Sequence, residues 1–470
     1  MYRILFICLL MTGVSHAQNH FTIKVVDQFS MPVPQALILI GMEKDVPFTN
    51  NLLTADAGGI VQTPEAWITQ EPMTIDAPGY IRQTVMNQTA SDIIIRLNPS
   101  PINPPLFISG QVKDLPVVNK DKLIDFALVL TSFSQNDFVH INQEQFISPY
   151  IDNLSILGQV VPVFSNASLP EQKEAYLVPV PLTVAKATYT KFLSSVGDKK
   201  IISMSGQFPF KSVVDDLKAG KSFFDVINYF DIFSLGSLNI NLSKSTTNNH
   251  FSGVTVQLDR KMTLTAPVVS NEEQVLILPM NAVSNYFLPS GIKKFNSAES
   301  AQFNTLDTSS VSMLAMVKKT PEFSSSNEKR RLSALFVKPT DATANLYLPL
   351  IDDPVTQSLY PVSVSTNTLV APNGLYPAGT MAVLSELSDS VYNQQVVKVA
   401  HAQWEIYSSN WEHHIQLPKW PLDMTAAPMA VIKSFEVTYF AQGQTPLNND
   451  VKSMLDQATH LTKSVVNLQY

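Results

Sequence analysis

Apolar residues alternate with polar ones in some stretches of this chain and gather in short continuous runs in others, the patterns of strands with one face or both faces buried. FTIKVVDQ (21–28) puts Ile23 and Val25 on one face, and ALILIG (36–41) reads as a buried strand. TADAGGIVQTP (54–64) turns at Gly58-Gly59 into a short strand, PMTIDAPGY (72–80) carries a further one, and IIIRL (93–97) closes the set. The apolar run ending at Ala77 turns through Pro78-Gly79, which calls for a positive φ at Gly79. Short strands punctuated by Gly and Pro predict a β-sandwich over residues 19–98.

Strand-like runs continue. After the proline-rich connector PSPINPPL (99–106), a stretch suited to a semi-rigid spacer, come FALVLTSF (126–133), LGQVVPVF (157–164), AYLVPVPLTVA (175–185) and SLGSLNINLS (234–243). One island breaks the alternation: Phe210, Val213, Val214 and Leu217, then Phe223, Val226, Ile227 and Phe230, follow helical spacing. Ser212 with Asp215, and Ser222 with Asp225, read as N-cap and N3 pairs, and Lys218-Ala219-Gly220 as a stop. Two short helices are therefore expected, at 212–219 and 222–230. The polar run KSTTNNH (244–250) marks a boundary between a second unit (107–243) and a third region (251–470). That region is again strands, among them MTLTA, EQVLILP, LSALFVK, ANLYLPLI, TMAVLSEL, VVKVAHAQWEIY and VIKSFEVTYFA. No fixed repeat marks a propeller or solenoid. The fold class is all-β and multi-domain: antiparallel β-sandwiches with a small helical insertion near 212–230, one or two of the sandwiches lying in 251–470.

The order of motifs in the first unit adds a family. Val25 to Asp27, a proline-rich turn, Ala36 to Ile40, Thr54 to Gly59, Ala77 to Tyr80 and Ile93 to Leu97 together resemble the carboxypeptidase regulatory-like domains, which are transthyretin-like β-sandwiches. The usual glycine after the first Asp is absent; Gln28-Phe29-Ser30 stands there. The resemblance covers residues 19–98 and implies a fold and a non-catalytic appendage of an exported protein, with no activity of its own.

The N-terminus sharpens the compartment. Arg3, the apolar core Ile4 to Met11 and the small residues Ser15 and Ala17 before Gln18 read as a secretory signal peptide over 1–17, too short to span a bilayer. Cys8, the only cysteine, lies inside that core, so cleavage leaves a chain without thiols. Export without disulfides fits a bacterium, and the periplasm, cell surface or extracellular space. The net charge of −7 carries no basic run, which leaves nucleic-acid binding without an electrostatic footprint. No later stretch is long and apolar enough for a transmembrane helix.

The search for chemistry yields little. There is no His-Glu-x-x-His or His-x-x-Glu for zinc and no Gly-x-Ser-x-Gly for a hydrolase elbow. Ser326 to Lys329 matches Ser-x-x-Lys in a polar loop, where a lysine base has nothing to desolvate it. Gly220-Lys221-Ser222 ends like a phosphate loop, yet Asp215 occupies the earlier glycine position. Asp352-Asp353 and Asp215-Asp216 read as loop and helix-start charges rather than a glycosidase pair. Glu412-His413-His414 is the one histidine cluster, and adjacent strand residues face opposite ways. No catalytic residue, metal ligand or cofactor is assigned.

The most suggestive binding feature is AHAQWEIYSSNWEHHIQLPKW (400–420), which holds Trp404, Trp411 and Trp420. A hairpin turning at Ser408-Ser409-Asn410 would set Trp404 and Ile406 on one arm and Trp411, His413 and Ile415 on the other. Facing outward, Trp404, Trp411, His413 and Trp420 would recognise a surface glycan or protein partner; facing inward, they are sandwich core, the reading favoured. The C-terminal HLTKSVVNLQY alternates and ends in an aromatic, as outer-membrane barrel strands do; a last sandwich strand is preferred. The sequence thus points to an exported non-enzymatic binding or structural protein. Its alternatives are a secreted hydrolase of surface polymers and an outer-membrane-associated protein. Oligomeric state is left open.

Overall fold

A computed structural model of the chain describes residues 20–27, 29–100, 106–115, 123–131, 150–156, 159–169, 173–179, 187–193, 196–219, 221, 223–283, 286–307, 311–319, 329–352, 354–359, 362–392, 395–423, 432–444 and 457–467. The signal segment, the connector at 101–105, Ser222, Ser326 to Glu328 of the Ser-x-x-Lys match and the terminal Tyr470 lie outside the described residues. The protein is all-β, with several stacked sheets and one short helical insertion.

The first unit is a two-layer sandwich. Thr22–Val26 lies between Ile60–Gln62 and Ile93–Arg96 in one layer. The other layer runs Leu52–Thr54, Leu37–Ile40, Glu71–Asp76 and Arg82–Gln88. The predicted alternation holds: Ile23 and Val25 pack on Ile38, Ile40, Met73, Ile75 and Val85. Gly79 has φ +85° at the predicted turn.

The second layer does not end there. Arg82–Gln88 pairs in parallel with Gln395–Ser408, matching Arg82 to Trp404 and Val85 to Tyr407. From that strand the sheet runs through Tyr376–Tyr392, Ile432–Gln442, His460–Asn467, Lys329–Val337, Val311–Lys319 and Glu273–Val283. Among the described residues it is a sheet of 13 strands, with Tyr286–Pro289 and Lys293–Phe295 both pairing with Glu273–Val283 at the far end. The sandwich read from residues 19–98 and the region read from 251–470 therefore share one sheet.

The second unit sets seven strands, including Leu123–Thr131, Gly197–Pro209 and Asp231–Leu242, against the trio Ala187–Leu193, Leu106–Lys113 and Phe251–Ser252. Ile108, Val112, Val129, Ile201 and Leu242 fill the space between. The polar run expected to separate units is stitched into this sandwich: Thr246 donates to the Phe107 carbonyl and Asn249 to that of Ser109. Phe251–Ser252 and Val256–Gln257 then complete its two sheets.

The helical island forms Phe210–Lys218 and Phe223–Val226, with a 3₁₀ turn at Ile227–Tyr229. The first helix starts two residues before Ser212, which therefore sits inside the first turn rather than capping it. Val213, Val226 and Ile227 face inward, and Phe230 stacks on Phe208 at 4.8 Å between ring centroids. These side chains join Met381, Tyr407, Phe440 and Leu461 in one core, so the helices fill the gap between the second sandwich and one face of the long sheet. ANLYLPLI, expected as a strand, is instead a 3₁₀ turn at Ala342–Asn345 followed by irregular chain. Leu348 and Ile351 are buried there, but Pro349 has no N–H to give a ladder.

Candidate functional site

The segment 400–423 is not a hairpin. Gln395–Ser408 pairs with Tyr376–Tyr392 on one side and with the first sandwich on the other, and His414–Gln416 pairs with Val362–Ser365. The local turn at Ser408-Ser409-Asn410 exists, but both arms find better partners in sheets that bury them. Trp404 and Trp420 are 5% and 2% exposed, so neither offers an open face.

What these rings cover is Arg82. Its guanidinium carbon lies 4.8 Å from the Trp404 ring centroid and 5.0 Å from that of Trp420. Nη1 and Nη2 donate to the two carboxylate oxygens of Asp423 at 2.7 and 2.9 Å, and Nη2 also donates to Asp76 at 3.2 Å. A planar, always-charged fork suits such a place because it pairs with a carboxylate through two parallel bonds while its faces stack on aromatic rings. Arg82 and Asp423 side chains are largely shielded from solvent.

Around this centre, contacts between the first sandwich and the 404–423 segment repeat one chemistry. Asn98 donates to Glu405, Asn87 donates to Glu412 and Lys419 donates to Glu43, all at 2.8 Å. The Trp404 indole N–H donates to Thr84 Oγ1 at 2.8 Å, and the buried Thr84 pairs with Thr74 at 2.8 Å. Tyr407 donates to Glu405 at 2.9 Å; burial, then the Glu405 charge, push its phenol well above the ordinary tyrosine range. The Lys419 backbone N–H donates to the Met42 carbonyl at 2.7 Å.

Trp411 and His413 lie apart from Arg82, half-buried around Tyr439. The Trp411 indole N–H donates to the Phe440 carbonyl at 2.7 Å. Tyr439 Oη donates to the Glu412 carbonyl at 2.8 Å and contacts Thr366 Oγ1; burial above all pushes its phenol up to about 12. His413 Nδ1 is 3.4 Å from Tyr439 Oη, whereas His414 turns to Ser365, 3.0 Å away. The two histidines thus diverge, although His413 lies in the bend before the strand His414–Gln416 rather than on a strand with His414. Among the described residues, no group of three or more His, Cys, Asp or Glu side chains is arranged to hold a metal ion, and no helix is long and apolar enough to cross a membrane.

The four candidate residues are therefore split: Trp404 and Trp420 belong to the Arg82 junction, Trp411 and His413 to a separate ring cluster. Sequence reasoning misses Arg82, Asp423, Glu405 and Asn98. A signal for the first exists: an arginine opening a strand six residues after Asp76, across a Pro-Gly turn, is placed to pair with it.

No family model and no curated protein matches the chain. Among solved structures, the Bacillus anthracis TIE protein aligns at 9% identity and a TM-score of 0.16; the match covers 64% of this chain and 45% of that one, so the chain spans less than half its length. BcpA, the major pilin subunit of Bacillus cereus, aligns at 10% identity and a TM-score of 0.14, covering 72% of this chain and 93% of that one. The pilus adhesin SpaC from Lactobacillus rhamnosus GG, in its open conformation, aligns at 10% identity and 0.16, covering 86% and 44%. Scores this low establish neither a shared fold nor a shared role.

Proposed function

We propose that this chain is an exported, non-enzymatic structural protein of a bacterial envelope or cell surface, its first unit a carboxypeptidase regulatory-like sandwich. One observation carries the reading: side chains that could have formed a binding or reacting centre are spent on joining units. Arg82, Asp423, Asp76, Trp404 and Trp420 satisfy one another across the junction, and Glu405 and Glu412 accept from Asn98 and Asn87. A chain organised in this way is suited to hold a fixed shape outside the cell. The thiol-free mature sequence and the leader-like N-terminus support export.

The test is to express the full gene in a bacterial host with its own N-terminus, fractionate the cells, and sequence the mature protein by mass spectrometry. Processing ahead of Gln18 and recovery from the envelope or medium are expected. Retention of residues 1–17 in the cytoplasm would overturn the export reading. Turnover of any substrate in a broad panel of polysaccharide and peptide hydrolase assays would overturn the non-enzymatic one.

A further inference from the structure

One exposed turn sets an amide beside the nitrogen that can displace it. PNGL (372–375) holds the only Asn-Gly pair in the sequence. The Leu375 backbone N–H donates to the Pro372 carbonyl at 3.0 Å, Gly374 has φ +92° and Asn373 keeps a negative φ, which together make a type II turn. Asn373 and Gly374 are both exposed. Among the described residues, neither the Asn373 amide nor the Gly374 backbone N–H has a hydrogen-bond partner. Other asparagine side chains are held: Asn87 and Asn98 donate to Glu412 and Glu405, and Asn51 donates to the Ile40, Glu43 and Val46 carbonyls. Each of those three also precedes a residue whose side chain crowds the following nitrogen, Leu52, Gln88 or Pro99.

The chemistry open to this pair is an internal acyl transfer. The Gly374 nitrogen gives its proton to hydroxide and attacks Asn373 Cγ; the N–Cγ bond forms, the Cγ–Nδ2 bond breaks, and Nδ2 leaves as ammonia with a proton from water. The product is a five-membered succinimide. Water then opens the ring. Attack at Cγ gives aspartate, and attack at the main-chain carbonyl carbon gives isoaspartate, with the chain running through Cβ and Cγ. One water enters, one ammonia leaves, and nothing is oxidised or reduced. Reacting atoms held within one residue of each other need no encounter, so the step depends on geometry. In a type II turn ψ of the first central residue is about +120°, which turns the side chain away from the next nitrogen. The peptide plane between the two residues must rotate before the ring closes. Glycine permits that rotation because it occupies both signs of φ, and it leaves its nitrogen unscreened.

We infer that Asn373 is a site of spontaneous conversion to isoaspartate in the folded protein, through a succinimide formed with Gly374. The product adds one backbone carbon and one negative charge to the turn. That turn leads Leu375 into a buried cluster with Leu348 and Ala441, and Tyr376–Tyr392 starts directly after it. The folded chain therefore carries a chemical record of its age at one position. Nothing in this reaction depends on export or on the structural role proposed above.

The test is to hold the purified full chain at mildly alkaline pH in heavy-oxygen water, alongside a sample unfolded in urea, and to map peptides by mass spectrometry with fragmentation that separates isoaspartate from aspartate. In the folded sample, the peptide holding residue 373 should gain heavy oxygen and isoaspartate ahead of every other asparagine. The urea sample should convert faster, because no turn holds the side chain away from the nitrogen. Gly374→Asn keeps a residue that tolerates positive φ and screens the nitrogen, so isoaspartate at 373 should form about tenfold more slowly or less. Wild type alone gives a reading that needs no variant: the attacking nitrogen must lose its proton, so mildly acidic buffer should suppress the product. Asn373 left intact in the folded chain, converted only to aspartate, or outpaced by another asparagine overturns the inference. So does an unchanged rate in folded Gly374→Asn, or equal isoaspartate in the acidic and alkaline samples.

Discussion

Arg82 and Asp423 stand 341 positions apart in the chain and meet through two parallel hydrogen bonds of 2.7 and 2.9 Å, sealed by two tryptophan rings. The pair lies where the first sandwich joins the long sheet, so its strength is part of what makes the two a single body. Asp423→Asn leaves a shielded guanidinium with Asp76 as its remaining carboxylate, and should cost about 3 kcal/mol of stability. Lys419→Ala removes an exposed pair with Glu43 and should cost under about 1 kcal/mol. Urea unfolding followed by tryptophan fluorescence measures both. Equal losses would mean that shielding by Trp404 and Trp420 contributes nothing.

Two glycines separate backbone conformation from lack of space. Gly79 sits at φ +85° with no atom within 4 Å of where a Cβ would lie, so Gly79→Ala should cost only the left-handed penalty, about 1–2 kcal/mol. Gly206 lies at the register shift between Gly197–Pro209 and Asp231–Leu242, where a Cβ would fall 1.9 Å from the Asp231 carbonyl oxygen. Gly206→Ala must push two paired strands apart, at a cost of about 3 kcal/mol or more. Thermal unfolding of the two variants should rank them in that order, and Gly79→Asn should lose less than Gly79→Ala because asparagine tolerates this region.

The contrast between those glycines also explains what sequence reading can reach. Gly79 is evident from Ala-Pro-Gly-Tyr because a turn is a local affair of a few residues. The strands at 22–26 and 93–96 are evident because alternation reports burial on one face, and that at 37–40 because a short apolar run between turn residues reports burial on both. Arg82 looks like a solvated strand end, since its main partner is set by a pairing across the whole chain. Trp404 and Trp411 look like one cluster because they are close in sequence, but Gln395–Ser408 has its own neighbours on both sides, and the chain after Ser408 departs to another sheet. Adjacent pieces of a β-protein need not share a sheet, and periodicity is silent on which strands meet. The Ala342–Asn345 turn escapes for a related reason: apolar residues buried in irregular chain give the same alternation as a strand.

The final strand illustrates how position in sequence misleads about position in space. His460–Asn467 lies inside the long sheet, paired on one side with Lys329–Val337 and on the other with Ile432–Gln442. Leu461 is fully buried in the core shared with the second sandwich. Chain termini are often dispensable, but only where their backbone is exposed. Removing residues 460–470 should strip the ladder from two central strands and leave a chain that does not unfold cooperatively. The truncated protein should bind a hydrophobic dye such as ANS strongly and lose its near-UV circular dichroism. A truncated chain with a sharp urea transition near that of the full chain would contradict this placement.

His460, at the start of that strand, makes stability depend on pH in a calculable direction. The residue is fully buried, and Nδ1 lies 2.8 Å from Thr459 Oγ1. Burial pushes its pKa down to about 4 from an ordinary 6.5, against a smaller upward pull from the Thr343 and Leu346 carbonyls. Above pH 6.5 the imidazole is neutral in both folded and unfolded chains and contributes no pH dependence. Between about 6.5 and 4 the unfolded chain takes up a proton that the folded chain refuses, so stability falls as the pH falls. Across that window the loss amounts to about 3 kcal/mol, with no further loss from this group below it. His460→Gln cannot take up that proton. Urea midpoints of wild type and variant, compared from pH 7.5 to 4, should therefore converge or cross as the wild type loses its advantage. Parallel curves over that range would mean that the folded protein admits the proton as readily as the unfolded one.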